Sequence, residues 1–162
     1  MNADAFRHLY DYHFSESRKV WDEHIVPLDQ DKFVQEIAYS VGSIRNHIVH
    51  MMSVDDSWFH DVRGLPAPDF LNAEEFTEKD KIRAHWDGVE QRMRAFLADL
   101  TDEMLFSQPL LPLNNDPMTV WQMLIQVVNH GTDHRAQLLM HLHNFGAKTS
   151  GQDYVFFVEE NR

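Results

Sequence analysis

Between Thr77 and Leu100 the residues Ile82, Trp86, Val89, Met93, Phe96 and Leu100 recur at alternating steps of four and three. That is the period of an α-helix, and it leaves one apolar face along the whole segment, with Thr77 as the expected N-cap. A face that long must be covered by other helices. Further segments supply them. Ala3–His24 repeats Phe6, Leu9, Tyr10, His13, Phe14, Ser17, Val20 and Trp21 at helical steps and is closed by Pro27. A second helix is expected from about Ser43 to Gly64, and a fourth from Pro117 or Met118 to Phe145, stopped by Gly146.

The expected fold is therefore all-α: one domain over residues 1–162, a four-helix bundle with a short C-terminal tail docked on it. The tail, "SGQDYVFFVEENR", is apolar enough to pack and could hold a short strand. A linker containing Phe33 and Ile37 precedes the second helix, and the stretch "SQPLLPLNNDPMT" makes an irregular connection. The chain is long enough to bury a core without a structural metal or disulfides. A metal in it would serve function.

Composition narrows the function. With 14 basic against 26 acidic residues the net charge is −12, and no basic cluster offsets it, so a nucleic-acid partner is not expected. Cysteine is absent, which removes thiolate nucleophiles, disulfides and cysteine-ligated metals. No stretch has the length of a membrane span and the N-terminus lacks a secretory pattern, so a cytoplasmic protein with no membrane partner is expected.

Eleven histidines remain to be explained. His130 and His134, in "VNHGTDHRAQL", stand one helical turn apart on the same face. At 100° per residue His130 falls on the border between the apolar arc of Met123, Val127 and Leu138 and the polar arc of Gln126, Asn129 and Asp133; His134 falls just inside the apolar edge. A metal site that keeps a position open to substrate needs that border. Two imidazoles bind an ion weakly, so a third must come from the second helix, where "RNHIVHMMSVDDSW" offers His50 at the same border and His47 deeper in the apolar arc. Gln137, at the polar border, is a candidate to orient a metal-bound water, against the plainer reading of a solvated side chain. His13, His24 and His141, like Trp58 and Trp121, are read as packing or pocket-lining groups. Gly131 stands where a zinc protease helix has its glutamate, and no Glu-x-x-His occurs, which argues against protease and di-iron chemistry.

Taken together, "GSIRNHIVHMMSVDDSWFHDVRG" and "MTVWQMLIQVVNHGTDHRAQLLMHLHNFG" resemble the DinB/YfiT-like family of metalloenzymes. That resemblance implies a four-helix bundle in which three histidines bind one divalent ion. It maps them to His50, eight residues before Trp58, and to His130 and His134. Zinc is the default for three imidazoles, with nickel, iron or manganese as alternatives. Some relatives transfer low-molecular-weight thiols or isomerise thiol adducts. The expected function is thus metal activation of a thiol cofactor against a small electrophilic substrate, with metal-dependent hydrolysis as the runner-up. A non-enzymatic metal-binding or dimerisation module is the competing class. A second apolar stripe on the fourth helix, Trp121, Ile125, Val128, Ala136 and Leu139, together with the resemblance, suggests a homodimer.

Overall fold

The computed structural model describes residues 2–109 and 117–161. Its helices are α1 (Ala3–Val20), α2 (Gln30–Val34), α3 (Ile44–Asp61), α4 (Lys79–Asp99), α5 (Asp102–Leu105), α6 (Val120–Asn144) and α7 (Tyr154–Glu160). Among the described residues there is no strand, and no helix is long and apolar enough to cross a membrane. The four long helices form a bundle: α6 packs on α1 and α3, and α4 packs on the same two. The expected all-helical fold is the one found.

Local chemistry explains the ends. Asn2 caps α1 by accepting from the Ala5 N–H, and Ser43 caps α3 by accepting from Asn46. On α6, Gln122 reaches back to the Thr119 N–H at 2.9 Å, so the helix opens at Val120, two or three residues beyond the expected start. Gly64 (φ 65°) and Gly146 (φ 96°) end α3 and α6 in the left-handed conformation that suits glycine. The third long helix starts later than expected. Glu78 is its N-cap, while the Thr77 carbonyl accepts from Gln30.

α1 runs on into a π-helical turn, Trp21–Ile25, which brings both Trp21 and Ile25 into the core. The linker before α3 contains α2, whose Phe33 is fully buried. The tail is helical where a strand was entertained, and it does dock. Phe157 is buried, the Tyr12 hydroxyl donates to the Gln152 carbonyl at 2.7 Å, and Lys19 pairs with Glu160. Of the connection "SQPLLPLNNDPMT", residues 110–116 lie outside those described.

The core runs along the bundle axis through Phe6, Tyr10, Ile48, Met52, Val89 and Leu124. Each such side chain contributes about 1.5–3 kcal/mol when fully buried. Tyr10 keeps its hydroxyl satisfied by donating to the Leu124 carbonyl at 3.0 Å. Trp58 and Trp121 pack partly buried against this core, as expected.

Candidate metal centre

The α3–α6 seam brings three imidazoles together. One nitrogen each of His50, His130 and His134 lies within 4.8 Å of the other two, and the ring centroids are 4.3–5.1 Å apart. His50 and His130 are half-buried and His134 is buried at 7 % exposure, so the cluster opens on one side. These are the border positions that the helical period assigns to them.

His50 Nε2 lies 3.2 Å from His130 Nε2. Two nitrogens on one tetrahedral ion, at the usual metal–nitrogen distance of about 2.0–2.1 Å, stand about 3.3 Å apart. The spacing fits an ion; taken alone it would also fit a hydrogen bond between two neutral rings. His134 favours the ion. Its side chain makes no hydrogen bond within the described residues, and its Nδ1, like that of His130, is buried without a partner. An unpaired buried polar group costs about 1–3 kcal/mol, so an imidazole left this way calls for a ligand.

The rings are also in the right state. Burial pushes all three histidines below the ordinary imidazole pKa, and the neighbouring imidazoles lower His50 and His134 further, His134 to about 4. At neutral pH each is uncharged and offers a lone pair. The residues present therefore fit a divalent ion held by three neutral nitrogens.

His47 lies outside this group. It is fully buried, with Nδ1 3.2 Å from the Ser43 carbonyl oxygen and Nε2 3.2 Å from Gln137 Oε1. Both nitrogens face acceptor oxygens, and a neutral ring donates to one of them. Its ring instead packs edge-on against His134 and His141, at centroid distances of 5.6 and 5.5 Å. Gln137, considered as a water-orienting group, has both amide atoms engaged, its Nε2 donating to Asp133 at 3.0 Å. His141 is buried beneath Tyr39, and His24 sits partly buried away from the cluster.

Sequence reasoning passed over what lies behind the turn joining His130 to His134. There α1, α3 and α6 bury His13, Asp55 and Arg135 together, each at 2 % exposure or less. His13 Nδ1 is 3.2 Å from an Arg135 guanidinium nitrogen and its Nε2 is 3.9 Å from Asp55. Gly131 admits this ring: a Cβ there would stand 2.4 Å from His13 Cε1. A glycine inside a long helix was the available signal, since glycine costs about 1 kcal/mol relative to alanine at such a place and needs a packing reason.

Comparison with known proteins agrees with the fold. The DinB family model matches residues 1–162. Protein DinB of Bacillus subtilis (strain 168) is 25% identical over 166 residues, covering 98% of this chain and 95% of that protein. The crystal structure of a DinB-like protein from Bacillus cereus ATCC 10987 superposes with a TM-score of 0.73 at 18% identity, over 93% of this chain and 97% of the other. A DinB family member from Shewanella denitrificans gives 0.59 at 15% identity, over 94% and 86%. The chain belongs to the DinB family.

Proposed function

We propose that this member of the DinB family is a metal-dependent enzyme in which His50, His130 and His134 hold one divalent ion, zinc by default, that activates a low-molecular-weight thiol against a small electrophile. The observation that carries the reading is His134, a buried neutral imidazole with no side-chain hydrogen bond among the described residues, set against two more neutral imidazoles. Such an ion, when bound, would lower the pKa of a coordinated thiol or water and so supply a nucleophile at neutral pH.

The chain's own residues supply the rest. His50 and His130 leave the outer side of the cluster open, which a closed structural site would not do. His47, fixed between Ser43 and Gln137, packs against His134 and limits the orientation of its ring. With no cysteine in the chain, the sulfur of any thiol transfer comes from a diffusible thiol. A reducing cytoplasm, which keeps such thiols reduced, suits that chemistry.

Cobalt-substituted protein tests this. Adding thiols in turn should produce a sulfur-to-metal absorption band, and turnover of an electrophile should require both thiol and metal. Turnover without thiol and without that band would establish the hydrolase instead. If no thiol or electrophile perturbs the metal in a broad screen, the protein is a binding module.

We also propose a homodimer. Of the stripe expected on α6, Val128 is buried within the chain and Trp121 and Leu139 are half-buried, but Ile125 and Ala136 are exposed, and Met140 beside them is 47 % exposed. Light scattering should give twice the 19.1 kDa chain mass at micromolar concentration; a monomer would remove this reading.

A further inference from the structure

The loop between α3 and α4 places an aromatic ring at the open side of the histidine cluster. Phe70 is 62 % exposed, yet its ring lies nearly parallel to His50, tilted by 26° with centroids 6.4 Å apart. It is held there. The next residue, Leu71, packs against the core and donates its N–H to Ser53 Oγ at 3.2 Å, while Ser53 donates to the Val49 carbonyl one turn below. Pro66 and Pro68 further restrict the approach to this anchor. Other aromatics are exposed on this chain, but among the described residues Phe70 is the exposed ring that faces the cluster.

The exposed charged side chains adjacent in sequence to Phe70 and His134 are carboxylates. Asp133, one residue before His134, accepts from Gln137 Nε2 at 3.0 Å. Among the described residues no lysine or arginine is hydrogen-bonded or ion-paired to His50, His130, His134 or Asp133; Arg135, on the same helix, spends its guanidinium on Gln152, Ser17, Thr132 and His13. Asp69 adds a further acid beside Phe70. An anionic substrate would find Asp69 and Asp133 close by and, among the described residues, no guanidinium or ammonium clamp.

We infer that Phe70 is the platform on which the substrate rests, and that the substrate is an uncharged molecule with a flat, apolar body. This rests on the reading of the three histidines as a metal site. A flat apolar group gains from an aromatic face both by leaving water and by stacking, and an anchored loop loses little freedom when it binds.

The test uses metal-binding probes in place of the unidentified substrate. Cobalt-loaded protein is titrated with benzohydroxamate, acetohydroxamate and 4-carboxybenzohydroxamate, following the metal spectrum. Wild-type protein should prefer the benzoyl probe over the acetyl one by about tenfold, and Phe70→Ala should lose that preference while Phe70→Tyr keeps it. Cobalt affinity should be the same in all three proteins. The carboxylated probe should bind more weakly than its neutral parent. The inference is overturned if Phe70→Ala retains the preference, if wild type has none, or if the carboxylated probe binds as well as the neutral one. If wild type binds no cobalt, the metal reading fails and takes this inference with it, an outcome separate from the others.

Discussion

On the two sides of Gly131 the bundle buries histidine in opposite ways. Toward α3, His134 has no side-chain hydrogen bond among the described residues and shares its neighbourhood with His50 and His130. Toward α1, His13 is sealed at 1 % exposure between Arg135 and Asp55, and Asp55 in turn accepts from the Trp86 indole at 3.4 Å. Both settings depress the imidazole pKa, chiefly through burial, so titration behaviour does not separate them. Their company does. His13 stands between a guanidinium and a carboxylate, whereas His134, its Nδ1 unpartnered among the described residues, belongs to the one group of three imidazoles found there whose nitrogens converge.

If that distinction is right, damage on the two sides should look different. The largest expected effect is Arg135→Ala, which empties a fully buried site and strips partners from His13, Ser17 and Gln152. Urea denaturation of the metal-free protein should show a loss of about 3 kcal/mol or more. A loss below about 1 kcal/mol would mean the cluster behind Gly131 is not scaffold.

Gly131→Ala comes next, because the new Cβ forces His13 to move. The expected cost is about 1–3 kcal/mol of stability. Metal affinity should fall as well, since the displaced turn carries both His130 and His134; an unchanged thermal midpoint would show that His13 can step aside freely.

Acid should then separate the sides by mutation. His134 has a folded pKa of about 4, below its unfolded value near 6.5, so the unfolded chain binds more protons between those values. Protonation of the unfolded chain at this residue therefore costs nothing above pH 6.5 and lowers metal-free stability as the pH falls toward 4. His134→Leu should flatten that part of the stability–pH curve, and a curve of unchanged slope would contradict the neutral state assigned to the ring.

The smallest effect belongs to His47→Phe, which keeps a ring against His134 and His141 but gives up the contacts to Ser43 and Gln137. Calorimetry should show metal binding retained, weakened by no more than about tenfold. Loss of binding would move the third ligand to His47.

Periodicity carried much of this before any coordinates. It set His50 and His130 at the border and His47 deeper, and their burial follows that order, because the angular position on a helix determines which side chains the neighbouring helices cover. What it missed has no periodic signature. α2 is five residues without a side-chain cap, and it packs against α3, where Phe33 is buried. The cluster of His13, Asp55 and Arg135 draws one residue from each of three helices, so no local pattern announces it. Gly131 could be read only as the absence of a protease glutamate, whereas its physical cause is a ring from α1.

The central claim is that His134 is unpartnered because it is a metal ligand, and His134→Leu tests it most directly when metal binding and metal-free stability are measured on the same sample. Wild type should bind one divalent ion per chain; the variant should bind none, and without metal it should be at least as stable, since an apolar side chain replaces an orphaned polar one. Retention of metal affinity, or a metal-free variant less stable than wild type by about 2 kcal/mol or more, would contradict the account.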